Sequence, residues 1–196
     1  MKMRLKKIRI APKVLLLFSV LLVCDQTGLA FVTLLAAACH ECGHILMARA
    51  LKIPFRTMRI DLMGARLEIG GRMLSYREEW LLSAAGPIAS FFAAAAAAVF
   101  WENSRLAVYF SCASLLLGVL NLLPIRSFDG GRMLGCALSA AFDSNVTERV
   151  LSACSFLFLF LLWAVAVYFL IRVGDGISLF FFSVSLFLRF FDRERL

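Results

Sequence analysis

The sequence predicts an all-α polytopic membrane protein with about six transmembrane helices and one small β-hairpin after the second helix. Three observations predict it. Hydrophobic residues make up 62% of the 196-residue chain and charged residues 17%. Soluble domains hold roughly 45–50% apolar and about 25% charged residues, so a globule of this size could not hide the excess. The apolar residues also fall into six runs divided by polar breaks. Finally, Lys2, Arg4, Lys6, Lys7, Arg9 and Lys13 precede the first run with no acid among them, the pattern of a cytosolic anchor. These features exclude a soluble enzyme, a disordered chain and a coiled coil.

A spanning helix needs about 20 apolar residues. The runs are 14–24, 29–51, 80–101, 106–125, 150–171 and 177–191, the first and last being short. A signal peptide is the competing reading of 14–24. Val23 ahead of Cys24 makes a poor cleavage or lipoprotein site, so the run is kept as a span. With the N-terminus in the cytosol, six spans return the C-terminus there. The loop 52–79 carries Lys52, Arg56, Arg59, Arg66, Arg72 and Arg77 and falls on the same side. The expected location is the bacterial cytoplasmic membrane, multi-pass, with the lipid bilayer as surroundings. The net charge of +8 is accounted for by these anchors. The basic residues line no single helix face, and no nucleic-acid partner is expected.

Within the loop, Met58, Ile60 and Leu62 alternate with Arg59 and Asp61. After Met63-Gly64-Ala65 the alternation resumes in Arg66-Leu67-Glu68-Ile69, and Gly70-Gly71 ends it. Period-two alternation around a glycine-containing turn predicts a β-hairpin. A surface hairpin without a role is the plainer alternative. The third run holds Ala93 to Ala98 unbroken, which suits a closely packed central helix. Pro87, early in that run after Gly86, removes a backbone donor and bends the helix. The six cysteines lie in apolar stretches and read as small packing residues.

The chain has only two histidines, in His40-Glu41-Cys42-Gly43-His44. Four residues apart on a helix, they share a face and can reach one metal, with Glu41 beside them as a base that does not ligate. This is the H-E-x-x-H arrangement of zinc hydrolases. It lies inside an apolar run, where ionisable groups are expensive and functional by default. The bland alternative is a polar patch bonding between helices.

A catalytic zinc takes three protein ligands. With no third histidine, the third must be Asp, Glu or Cys. Asp61, Glu68, Glu78 and Glu79 lie among arginines and read as a solvated face. Asp129 follows Pro124, which stops the preceding helix, and stands where a helix can resume through 133–141. Irregular backbone at membrane depth belongs beside water or inside protein, where a metal would sit. Asp129 reads equally as a helix N-cap or turn residue.

Taken together, these motifs resemble the site-2 proteases, a family of intramembrane zinc metalloproteases. That family carries H-E-x-x-H on an early helix and N-x-x-P…D-G on a later one, matched by His40–His44 and by Asn121, Pro124, Asp129 and Gly130. Its intervening G-P is matched by Gly86 and Pro87, and a β-hairpin between the first two motifs is also a family feature. The resemblance covers about 29–141, the three-helix core, with C-terminal helices over 150–191. Residues 1–196 thus form one expected metalloprotease domain. The small size and the Leu-Leu-Pro and Asp-Gly-Gly details are most similar to the sporulation factor processing protease subgroup. The few residues after 191 lead to the expectation of no PDZ or CBS domain. Two departures stand out: Ser90 occupies a position usually Asn, and Ser127-Phe128 replaces the usual Pro-Leu.

The resemblance implies one Zn²⁺ per chain, held by His40, His44 and Asp129, with Glu41 as the catalytic base. It implies substrate-binding or oxyanion roles for Asn121 and Ser90, and structural roles for Gly86, Pro87, Pro124 and Gly130. The implied partner is a membrane-associated protein substrate, cut in or near its membrane segment. A membrane metal-binding or transport protein, or an inactive protease-like protein, is the alternative. A transporter would tend to show repeated halves, and none is visible. Oligomeric state is unknown from the sequence.

Overall fold

The computed structural model describes residues 8–10, 25, 27–53, 55–61, 64–69, 73–172 and 177–194. The run 14–24 lies outside them. The elements in order are β1 (Ile8–Ile10), α1 (Leu29–Ala50), β2 (Phe55–Asp61), β3 (Gly64–Ile69), α2 (Tyr76–Ala98), α3 (Arg105–Asn121), α4 (Asp129–Ala141), α5 (Ser144–Arg172) and α6 (Ile177–Glu194). Among the described residues, three helices are long and apolar enough to cross a membrane: α1, α2 and α5. Arg105–Asn121 and Leu179–Phe191 are shorter apolar helices. Phe31, Phe92, Leu116 and Ile171 are among the exposed large side chains on these helices, as expected of surfaces that meet lipid rather than water. The chain forms two compact units, Met1–Leu122 and Leu123–Leu196.

In the first unit, α1, α2 and α3 pack against one another. The start of α1 is held by Asp25. Its carboxylate accepts from the Thr27 amide at 2.9 Å, the Thr27 hydroxyl at 2.6 Å and the Ala30 amide at 2.6 Å. Gly28 turns the chain into the helix at φ +78°, where a side chain would be strained. Helix α2 begins with a reciprocal cap. The Ser75 hydroxyl accepts from the Glu78 amide at 3.2 Å, and the Glu78 carboxylate accepts from the Ser75 amide at 3.0 Å. This cap starts α2 four residues before the apolar run.

Apart from Leu82, the buried face of α2 is small: Ser83, Ala84, Ala85, Gly86, Pro87, Ser90 and Ala94. Close approach follows. A Cβ on Gly43 would lie 2.4 Å from the Ala85 carbonyl oxygen, so α1 and α2 touch backbone to side. The Ser111 hydroxyl of α3 donates to the Ala94 carbonyl at 2.7 Å. Strands β2 and β3 pair antiparallel, with Met58 opposite Leu67. The basic lead contributes a strand that the alternation pattern did not reveal: β1 pairs parallel to β2, Ile8 opposite Met58, giving the order β1-β2-β3.

In the second unit, α4 packs on α5 and α5 on α6. Ile125, Leu159 and Leu186 form its buried cluster. Helix α5 starts six residues before the apolar run, because Asp143 accepts from the Val146 amide at 3.0 Å and organises the polar first turn. Among the described residues, Cys39, Cys42, Cys112 and Cys154 are free thiols.

Candidate metal centre

His40 and His44 stand one turn apart on α1, His40 only 4% exposed and His44 half-buried. Facing them on α2 are Leu82, Gly86 and Ser90, each four residues from the next and therefore on one stripe. The Leu82 carbonyl lies 2.8 Å from His44 Nδ1. A carbonyl only accepts, so Nδ1 donates its hydrogen there and the Nε2 lone pair is left outward. His40 Nδ1 lies 2.9 Å from the Ser90 hydroxyl. The two Nε2 atoms face each other at 3.2 Å.

Gly86 explains how two rings fit against a helix. A Cβ there would lie 2.3 Å from His44 Nε2 and 2.6 Å from His40 Nε2. The imidazoles occupy the space that any other residue would fill. Pro87, fully buried in mid-helix, leaves the carbonyl one turn back without its usual donor.

Asp129 is the first residue of α4 and 7% exposed. The N-cap position belongs to Phe128, so the N-cap reading of Asp129 does not hold. A carboxylate in the first turn is favoured by the helix dipole. The turn before it is shaped by Gly131, whose Cβ would lie 2.1 Å from the Ile125 carbonyl oxygen. The Ser155 hydroxyl accepts from the Arg126 amide at 3.0 Å and steadies the same turn. Gly130 is buried beside it.

His40, His44 and Asp129 each offer one ligand atom, and these atoms lie within 4.8 Å of one another. Among the described residues this is the group of His, Cys, Asp and Glu that could hold a metal. Two imidazole nitrogens and a carboxylate oxygen suit zinc. In tetrahedral geometry, ligands at about 2.0–2.1 Å stand roughly 3.3–3.4 Å apart, close to the 3.2 Å between the Nε2 atoms. With no ion bound, the His40 Nε2 hydrogen can bridge to the His44 lone pair at the same separation, so the spacing and the donor set fit an ion that replaces one proton.

The remaining candidates fall elsewhere. Glu78 serves the cap of α2, and Glu79 lies in the first turn of that helix. The side chains of Asp61 and Glu68 lie outside the described residues. Glu41 is half-buried beside His40. The Asn121 amide donates to the Leu117 carbonyl at 3.0 Å, back along its own helix. Ser90 has 0% exposure and its hydroxyl lies on a histidine, not on an open surface. Sequence reasoning missed the Leu82 carbonyl, Gly43 and Gly131. The spacing Leu82–Gly86–Ser90, once the motif histidines were assigned to a facing helix, was the available signal.

Residues 84–165 match the family model of Peptidase family M50. The whole chain superposes on a site-2 protease from Methanocaldococcus jannaschii with a TM-score of 0.65 and 17% identity, covering 100% of this chain and 94% of that one. The resemblance to the site-2 proteases holds. The site-2 protease fold is thus the fold of this chain. A protein named as zinc metalloprotease Rip3, from the Erdman and H37Rv strains of Mycobacterium tuberculosis, is 28% identical over 133 residues. That match covers 63% of this chain and 34% of the relative, so the chain spans about a third of the length of the curated relatives it matches.

Proposed function

We propose that the chain is an intramembrane zinc metalloendopeptidase that hydrolyses a peptide bond in or near a membrane segment of a substrate protein. The carrying observation is the approach of His40, His44 and Asp129 to within 4.8 Å, in a chain where both histidines belong to H-E-x-x-H. The M50 match and the likeness to Rip3 support the reading. One Zn²⁺ would be held by these three residues and would supply Lewis acidity to the scissile carbonyl and to a water. Glu41, adjacent to His40 on α1, takes the proton of the attacking water and returns it to the leaving amine. Asn121, at the end of α3, orients the substrate or stabilises the oxyanion. Gly86 and Pro87 shape the helix under the rings, and Pro124 and Gly130 shape the approach to Asp129.

A substrate helix hides its carbonyls and must unwind before attack. Strand β3 is an edge of the sheet and offers backbone to which an extended peptide can add. We read the chain as six spans in one metalloprotease domain, with both termini in the cytosol of a bacterium. The supports are the six apolar runs and the basic residues beside them.

The test is co-expression with membrane-tethered reporter proteins, comparing the wild type with Glu41→Gln. Cleavage lost in the variant supports the reading. Zinc binding without cleavage of any reporter would leave a metal-binding protein instead.

A further inference from the structure

Helix α2 holds the two imidazoles by unequal means. His44 is held by the Leu82 carbonyl at 2.8 Å, and an acceptor there dictates which nitrogen keeps the hydrogen. His40 is held by the Ser90 hydroxyl at 2.9 Å, and a hydroxyl can donate or accept. This contact by itself therefore leaves the tautomer of His40 open. Ser90 is 0% exposed and His40 4% exposed, so water does not compete for this contact.

We propose that Ser90 is a positioning residue for the metal centre. Its hydroxyl accepts the Nδ1 hydrogen of His40 and fixes the rotation of the ring. The Nε2 lone pair then aims at the point that His44 Nε2 also faces. Outer partners of this kind raise ligand basicity and hold the ring against loss of alignment. Leu82, Gly86 and Ser90 thus act as one stripe: carbonyl, gap, hydroxyl. The assignment rests on the metalloprotease reading for the identity of the ion. It differs from the substrate-binding or oxyanion role that the sequence resemblance implied for Ser90, and it is drawn from the hydroxyl's contact with His40.

The competing role is packing. The site of a Gly118 Cβ lies 3.2 Å from Ser90 Cβ, so α2 and α3 are tight there and a small residue is required. Ser90→Ala separates the two roles, since it keeps the Cβ and removes only the oxygen.

The experiment uses the purified full chain in detergent. Zinc affinity is read by competition with a chromophoric chelator, and Co²⁺ loading is read from its visible absorption spectrum. Thermal unfolding is recorded on metal-free protein. Ser90→Ala should weaken zinc binding about 10–100-fold and change the cobalt spectrum, while unfolding of the metal-free protein stays near wild type. Wild-type affinity in Ser90→Ala overturns the assignment. So does a loss of metal-free stability that accounts for the whole change. A wild-type chain that binds both ions but cleaves nothing sinks the protease reading and leaves Ser90 in place. A wild-type chain that binds neither ion overturns both.

Discussion

The Nε2 atoms of His40 and His44 stand 3.2 Å apart, directly over Gly86, where a side chain would overlap both rings. The glycine is thus part of the imidazole pocket although it supplies no ligand. Gly86→Ala should push the rings apart, destabilise the fold by about 1–3 kcal/mol through overpacking and abolish zinc binding. Zinc content by mass spectrometry, with helicity by circular dichroism, checks this. Full zinc content in a folded Gly86→Ala protein would contradict the packing described.

Ligand and base can be separated chemically. Asp129→Ala should lose zinc, because a carboxylate oxygen leaves the group. Glu41→Gln should retain zinc, and any cleavage should fall by about 10²–10⁴-fold, the usual worth of general acid–base catalysis. Both quantities are measured on the same preparations. Zinc retained in Asp129→Ala, or lost in Glu41→Gln, would reverse the two roles.

The edge position of β3 predicts a backbone effect. Amides of consecutive strand residues point to opposite sides, so only alternate positions face away from β2. Proline introduced singly at Ala65, Arg66, Leu67 and Glu68 should reduce turnover at alternate positions through loss of an outward donor, with zinc content unchanged. The other positions should weaken the sheet itself, read as faster amide exchange in β2. Arg66→Ser and Glu68→Ser should do much less. Uniform activity across the proline series would leave β3 as packing alone.

The helix start at Asp25 predicts a pH effect. The Thr27 hydroxyl, above all, holds the Asp25 carboxyl below its ordinary value of 3.8. A depressed carboxyl contributes stability above the ordinary value and loses it as pH falls through the depressed one. The Ala30 amide, which donates to Asp25, should therefore exchange slowly at neutral pH. Its protection should drop below about pH 3.8. In Asp25→Asn the protection should be lower throughout and lack that step.

Much of the site was legible because its chemistry is local. His40 and His44 share a helix, and four-residue spacing is enough to put them on one face. Asp129 was legible only as a candidate, since a carboxylate at a helix start has two meanings in sequence and only burial and a neighbouring N-cap residue separate them. The contact of Ser90 was not legible for a related reason. A serine in a small-residue helix shows no direction, and its contact with His40 spans fifty positions. Helix ends were blurred where polar caps precede the apolar residues, as at Ser75 and Asp143. Strand β1 was hidden because a basic lead of three paired residues carries no period of its own, and its partner supplies the register.

That short strand acts as a topological ruler. Strands that share hydrogen bonds must lie in the same compartment, and β1 pairs with β2 from Ile8–Met58 to Ile10–Ile60. The number of bilayer crossings between Ile10 and Phe55 must therefore be even. Helix α1, at 22 residues, is long enough to be one of them. An odd total would tear the sheet in two, so a reporter tag ahead of Ile8 and another after Ile69 should answer to the same side of the membrane.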